Sequence, residues 1–379
     1  MSGGLLSIGI AGAGLLGRLL AWRLARVGHA VQVFDAATGS APTWRSQVTG
    51  SGWVPTAAAF TAAGMLSPLS ELDNAQPAVA ALGWCSLVLW PRIAARLPGT
   101  PRVVVNGSLL LAHRPDGGAA QRVLARMRAA MATPEWQRLS LRADVQALDA
   151  AALRALEPAI AGPAQGWLLP GEGFIDTVAV MNALHAGAGD VDWHWGQRVL
   201  AVDAGERAGA LHLADGRVLA FDAVIDVRGV GARPALPVRG VRGEVITLDC
   251  PGHGLTRPLR LLHPRHRVYL VPRSSRQLIV GASEIESEDR SPVSLRSALE
   301  LMAAAHSVLP ALAEARIAAL DANLRPALPD NNPCVEHAGA RLAINGLFRH
   351  GWLLAPALVE QALRQTGWAP PLAAEMEHA

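Results

Sequence analysis

Residues 5–17 read Leu5-Leu-Ser-Ile-Gly-Ile-Ala-Gly-Ala-Gly-Leu-Leu-Gly17, and an amphipathic run leads on to Gly28 and then Val31-Gln-Val-Phe-Asp35. Leu5, Leu6, Ile8 and Ile10 form a short apolar strand, and Gly12, Gly14 and Gly17 follow at the G-x-G-x-x-G spacing. Each glycine has a physical role. Gly12 permits the tight turn, Gly14 lets backbone approach a pyrophosphate closely, and Gly17 lets the helix pack closely on the sheet. The helix runs from Leu15 to about Val27, with Leu16, Leu19, Leu20, Leu24 and Val27 near helical spacing. Gly28 suits a left-handed C-terminal cap. Asp35 closes a second strand 18 residues after Gly17, where an acid can accept hydrogen bonds from ribose hydroxyls. The helix N-terminus, including Leu15 and Leu16, offers free N–H groups to phosphates. The stretch predicts a βαβ dinucleotide unit and leaves NAD and FAD both open.

The chain has 379 residues, enough for two domains, and 51% of them are hydrophobic, which argues against disorder. No apolar run reaches the ~18 uncharged residues of a membrane span. A cleaved leader would remove the glycine loop, so the chain is expected to be cytoplasmic. The 34 basic residues are all arginine, scattered without a run of five, and formal charge is +3. A nucleic-acid surface needs clustering, so no nucleic-acid partner is expected. The absence of lysine excludes a lysine Schiff base or general base. Cys85, Cys250 and Cys334 lie far apart and the histidines show no H-E-x-x-H, so neither a disulfide nor a metal is expected.

Thr38 to Pro55 reads as a loop. The small residues from Thr56 to Pro68 suggest a segment packed closely on something flat, and on composition alone a helix against the sheet. A helix is expected over Ala75 to Leu97, and Asn106-Gly107 predicts a hairpin between Val103 and Ala112. Asp176 caps a helix reaching His185. Short strands follow, with a hairpin at Asp215-Gly216, and 223–226 runs into a second glycine turn. Arg267 to Pro272 pairs with Gln277 to Ala282. Ile317 to Arg325 is extended and stops at Pro326, and a last strand, 342–345, precedes a helix from about Leu353 to Thr366. The expected fold is α/β, a Rossmann-like dinucleotide fold interleaved with an antiparallel sheet.

The chain resembles the D-amino-acid oxidase-type flavoenzymes, and among them the glycine oxidases of thiamine biosynthesis. The resemblance spans nearly the whole chain in ordered blocks: the glycine loop with Asp35; Ala62-Ala-Gly-Met-Leu; Val238-Arg-Gly-Val-Arg-Gly-Glu; Val268-Tyr-Leu-Val-Pro-Arg with Ile279-Val-Gly-Ala-Ser; Leu324-Arg-Pro with Pro329-Asp; and Leu347-Phe-Arg-His-Gly-Trp-Leu-Leu-Ala-Pro. It implies FAD rather than NAD, bound in a domain of residues 1–80, 174–235 and 336–379, with a substrate-binding domain of 81–173 and 236–335. By the resemblance Ala62, Ala63, Gly64, Met65 and Leu66 lie along the flavin, with Met65 bordering the substrate. Val199 meets the adenine through its backbone and Gly229 the pyrophosphate. His350, Gly351, Trp352 and Leu353 face the flavin's N1–C2=O edge, and Arg349 is also a cofactor-binding residue.

Arg325 matches the family's substrate arginine, Arg349 a second pocket arginine, and Tyr269, the only tyrosine, a pocket tyrosine. A guanidinium fork holds a carboxylate by two parallel bonds. Read without the family, Arg325 is a surface ion-pair residue, Arg349 holds the turn before the helix, and Tyr269 is a core strand aromatic. The chain departs from the pattern at Arg228, in a turn that more often reads Ala-Thr-Gly-Ala, and at Glu284, which attracts a substrate amine or faces solvent. Cys334 does not match the cysteine that sarcosine oxidases attach to flavin, so non-covalent FAD is expected. The implied reaction is oxidation of glycine, sarcosine or D-alanine by hydride transfer from Cα to flavin N5, dioxygen yielding peroxide. No histidine–carboxylate pair is evident, and none is needed where the flavin is the electron sink. Alternatives are another D-amino acid or secondary amine, a tRNA-modifying flavoprotein module, or an NAD-dependent dehydrogenase. A homo-oligomer is compatible with the sequence.

Overall fold

The structure, a computed structural model, describes residues 4–44, 56–73, 75–137, 144–163, 165–262 and 267–372. Most of the expected Thr38–Pro55 loop lies outside them. A six-stranded sheet runs in the order Cys334–Ala338, Arg341–Asn345, Ala223–Asp226, Ser7–Ala11, Ala30–Asp35, Asp192–Trp195. All its pairings are parallel except the outermost, between Cys334–Ala338 and Arg341–Asn345. Alternation decides what each face meets. Ile8, Ile10, Val31, Val33, Ile225, Leu342 and Ile344 belong to one core with the Leu15–Arg26 and Gly351–Thr366 helices. Ala11, Phe34 and Val224 point the other way and pack on Val199, Leu211, Leu213 and Phe221 of a three-stranded antiparallel sheet. Gly9 makes room on that face, since a Cβ there would sit 2.5 Å from the Phe221 ring. Each buried Leu, Ile, Val or Phe contributes about 1.5–3 kcal/mol, so the helix–sheet–sheet sandwich is a rigid base for the loops at the strand ends.

An eight-stranded sheet forms the second layer system, in the order Arg316–Ala327, Arg239–Asp249, Gln277–Gly281, Arg267–Pro272, Leu259–Leu262, Ser108–Ala112, Gln165–Leu169, Gln146–Leu148. One face is covered by the Leu295–His306 helix through Leu301 and Ala305 against Ile246, Leu270 and Val280. The other face looks toward the ends of the parallel strands.

Three expectations change. Asn106-Gly107 does not close a hairpin. Val103–Val104 pairs with Gly173–Ile175, while Ser108–Ala112 lies between Leu259–Leu262 and Gln165–Leu169. Every residue of Ser108–Ala112 is buried, and a strand with both edges taken has none left for its sequence neighbour. The strand before Pro326 runs through it to Ala327, because it is the edge of its sheet and the missing N–H costs no ladder bond. The Pro77–Ala94 helix, at 18 residues, is long and apolar enough to cross a membrane by length and composition. Half of it is buried, and Gly83 seats Leu353 of the last helix, where a Cβ would lie 2.8 Å from Leu353 Cγ, so it serves as a core helix. The Asp176 cap and the hairpins at Asp215-Gly216 and between Arg267–Pro272 and Gln277–Gly281 stand as expected.

Candidate active site

A continuous cavity of about 1280 Å³ lies between the parallel strand ends and the open face of the large sheet. That exceeds the roughly 300–1,000 Å³ of most small-ligand pockets, as a two-part cofactor plus a substrate requires.

One end is built from the glycine loop. Gly12 has φ +107°, and a Cβ there would lie 2.7 Å from the Val227 carbonyl. A Cβ on Gly17 would lie 1.8 Å from the Gly12 carbonyl, so Gly17 supports the turn from behind and does not line the cavity. Asp35 accepts from the N–H groups of Ala13 at 2.6 Å and Ala37 at 2.7 Å, which fixes its carboxylate beside the loop. A carboxylate has about four lone-pair sites, so acceptor capacity remains for a ribose. The Leu15–Arg26 helix starts with no side-chain cap and no acid in its first turn, leaving its N–H groups to an anion. Leu15, Leu16, Val199 and Gly229 line this end.

The middle is walled by Ala62, Ala63, Gly64 and Met65 on one side and by His350, Gly351, Trp352 and Leu353 on another. Of the stretch where composition suggested a helix, Ala58–Thr61 is helical, but the chain leaves the helix at Ala62 and reaches the short Met65–Leu66 strand. Gly64 adopts φ +82° under the Ile175 carbonyl. Leu66, expected along the cofactor, is fully buried in the main core and does not reach the cavity. The Gly351–Thr366 helix, like the first, starts uncapped and without an acid, so its leading N–H groups also suit negative charge.

The far end is set by register. Antiparallel pairing places Arg260, Tyr269, Gly281 and Val245 in one row across the sheet, with Gly243 opposite Asn323 and Val241 opposite Arg325 on the same face. Two glycines form the floor. A Cβ on Gly243 would lie 2.3 Å from Arg325 Cζ, and one on Gly281 would lie 2.6 Å from the Tyr269 hydroxyl. Both side chains therefore lie flat over backbone. Gly243→Ala is expected to push the Arg325 guanidinium out of place and raise KM about tenfold or more, with Arg325 itself intact. Steady-state kinetics beside a far-ultraviolet spectrum checks this.

Among the described residues the Arg325 guanidinium binds neutral groups: Ser283 O from Nη1 and Nη2, each at 3.1 Å, Arg242 O at 3.3 Å, and the Tyr269 hydroxyl. Burial lowers its pKa, opposed by Tyr269, with which it shares a hydrogen bond, and by Glu284. The Tyr269 hydroxyl in turn is pushed up by burial. A cation so placed is suited to an anionic ligand.

Arg349 is placed differently. Its Nη2 donates to Glu71 Oε2 at 2.5 Å and its Nη1 lies 3.4 Å from Glu284 Oε2. His350 Nε2 lies 2.8 Å from the same Glu71 oxygen, a histidine–carboxylate contact that sequence reading did not find. Burial pushes the Glu71 carboxyl up, but Arg349, His350 and Arg260 outweigh it and hold it well below the usual carboxylate range. A carboxylate held so low is a poor base. Glu284 is half exposed at the rim.

Sequence reading also missed Glu172. Fully buried, it accepts from Leu69 N at 2.6 Å, Ser70 N at 3.2 Å and Ser108 Oγ at 2.5 Å. It thereby anchors the Pro68–Glu71 turn that presents Glu71. Burial raises its pKa to about 7 despite those bonds. The folded state thus binds this proton more tightly than the unfolded chain, so its contribution is fullest below the ordinary value of 4.5 and is lost as pH rises toward 7. Glu172→Gln mimics the protonated form and should lose that slope, gaining up to about 3 kcal/mol relative to the parent between pH 5 and pH 8. Denaturant unfolding at the two pH values measures it.

The sequence model of the family described as FAD dependent oxidoreductase (DAO) matches residues 7–362. An oxidoreductase of Rhizobium etli named for thiamine biosynthesis, ThiO, is 36% identical over 93% of this chain and 94% of its own length. The bifunctional protein MnmC of Azoarcus, named for biosynthesis of 5-methylaminomethyl-2-thiouridine in tRNA, is 29% identical over 94% of this chain but only 52% of its own length. The crystal structure of glycine oxidase from Geobacillus kaustophilus superposes with a TM-score of 0.75 at 24% identity, over 93% of this chain and 92% of that one.

Proposed function

The chain belongs to the FAD dependent oxidoreductase (DAO) family, and on that premise we propose that it oxidises glycine or a close relative, sarcosine or D-alanine, at Cα. FAD is the cofactor of the family. The residues fit it: a glycine cradle that a Cβ would fill, an acid at ribose distance along the chain, and two uncapped helix N-termini at opposite parts of one cavity. We assign the phosphates to Gly12, Gly14 and the first turn beginning at Leu15 and Leu16, the adenosine to Asp35 and Val199, and the ring system to Ala62–Met65 and His350–Leu353. Residues 1–80, 174–235 and 336–379 then form the cofactor half, and 81–173 and 236–335 the substrate half. Cys334 does not line the cavity, which supports non-covalent attachment.

The observation that carries the substrate reading is Arg325, whose hydrogen-bond partners among the described residues are neutral, lying on a glycine floor beside Tyr269. Its fork takes the substrate carboxylate and Tyr269 donates to the same group, so that Cα faces the Met65 wall. Arg349 is already engaged by Glu71 and Glu284, and its part is to set the shape and charge of the pocket rather than to offer a second open fork. Bound FAD supplies the two-electron acceptor, and dioxygen takes the electrons on to hydrogen peroxide. The substrate must bind with its amine neutral, so that the nitrogen lone pair can form the C=N bond as the Cα hydrogen leaves with its electron pair, and no side chain of the pocket is required as a base at Cα. The imine formed from glycine takes up water to give glyoxylate and ammonia, or serves thiazole formation in thiamine biosynthesis, the role for which the Rhizobium relative is named.

Purified protein should be yellow, and its visible band should bleach anaerobically with glycine, sarcosine or D-alanine. A flavin band untouched by all three would overturn the substrate class, and a colourless protein that takes up no FAD would overturn the cofactor assignment.

A further inference from the structure

The glycine turn after the Ala223–Asp226 strand carries Arg228 where a small polar residue is common, and the structure gives that arginine a place. Its Nε and Nη2 donate to the two oxygens of Asp226, at 2.9 and 2.7 Å. Its remaining nitrogen, Nη1, donates to two consecutive carbonyls of another element, Val199 O at 3.0 Å and Leu200 O at 2.8 Å. The pair is closed from solvent, with side-chain exposures of 7% and 0%. The two carbonyls lie where the pairing of Val199–Ala204 with Gly209–Leu213 slips register, between Val199 and Ala201. A bulge leaves backbone groups without ladder partners, and buried backbone groups must find partners elsewhere. Arg228 supplies them. Val199, Leu200 and Arg228 all line the cavity at the end occupied by Asp35.

A charge pair kept only for stability would be a poor choice here, because desolvating two ions costs about what their attraction returns. What this pair adds is a fixed shape for the bulged backbone. We propose that Arg228 is a positioning residue for the adenosine half of FAD: anchored by Asp226, it holds the Val199–Leu200 backbone in the form that meets the adenine edge, and cofactor affinity depends on it. The proposal rests on the assignment of this end of the cavity to adenosine.

The test uses holoenzyme and two variants, Arg228→Thr and the double variant Asp226→Asn/Arg228→Thr, the second of which leaves no lone buried carboxylate. FAD released on dilution, followed by its fluorescence, gives Kd for FAD, and displacement by ADP gives Ki for ADP. Both constants are expected to rise tenfold or more, by the same factor, in both variants. A folded double variant holding FAD and ADP as tightly as the parent would overturn the proposal. So would a weakening for FAD without one for ADP, or a double variant that does not fold, since the arginine would then act elsewhere or only on stability. If ADP fails to displace FAD from the parent protein itself, the adenosine assignment falls first, and the two failures are thereby told apart.

Discussion

Arg325→Ala is expected to lower kcat/KM for glycine by about two to four orders of magnitude, mostly through KM, while the protein stays folded and yellow. The guanidinium contributes two charge-assisted bonds to a carboxylate at a site screened from water. Hydrogen bonds to charged groups are worth about 1.5–3 kcal/mol each, and every 1.36 kcal/mol is tenfold in rate, so losing both gives roughly that range. The protein loses less. Among the described residues Arg325 hydrogen-bonds neutral groups, Ser283 O, Arg242 O and the Tyr269 hydroxyl, and no carboxylate hydrogen-bonded to it is left bare by its removal. Arg325→Lys restores the charge but not the fork and should recover only part of the loss. Arg349→Ala supplies the contrast. It would strip Glu71 of its nearest cation, leaving a buried carboxylate with His350 at 2.8 Å and Arg260 at 3.9 Å, so its cost should fall on stability as well as on KM. Steady-state kinetics and thermal unfolding on the three variants decide it: an Arg325→Ala enzyme with unchanged KM would sink the substrate reading.

The cofactor half is legible in the chain because its signals are local. Period-two strands, a glycine triplet and an acid follow one another within 31 residues, 5–35, and each restricts its neighbours. The substrate end is not local. Arg260, Tyr269, Gly281, Gly243 and Arg325 meet only because five strands pair in one register, which no window of sequence contains. Even so, some trace was present. Arg260 stands alone in the apolar strand Leu-Arg-Leu-Leu, and an arginine buried at such a position needs a partner. Glu172 sits between glycines in a turn, where a solvated side chain is the ordinary expectation, and its burial follows from the Pro68–Glu71 turn folding over it. Asn106-Gly107 shows the reverse error, strong turn chemistry overruled by a central strand with both edges already taken.

Gly17→Ala should leave a folded or partly folded chain that no longer retains FAD. The conflict is steric. The added Cβ would stand 1.8 Å from the Gly12 carbonyl oxygen, where carbon and oxygen need about 3 Å or more, and backbone cannot swing aside as a flexible side chain can. Either the helix lifts from the sheet or the Gly12 turn opens. Lifting the helix exposes Leu16, Leu19, Leu20 and Leu24, each worth about 1.5–3 kcal/mol, whereas opening the turn costs a few local hydrogen bonds, Ala13 N to Asp35, Gly12 N to Phe34 O and Arg18 Nε to Ala13 O, worth about 1 kcal/mol each. The turn gives way first. The Asp35 carboxylate then loses its bond from Ala13 N, the first N–H groups of the helix no longer converge, and the anion site disappears while most of the core survives. Purified Gly17→Ala protein is therefore expected to be colourless, with FAD affinity reduced a thousandfold or more, about 4 kcal/mol, and unfolding shifted by a smaller amount. Retention of a full flavin band after gel filtration would show that the glycine loop is not where the pyrophosphate is held.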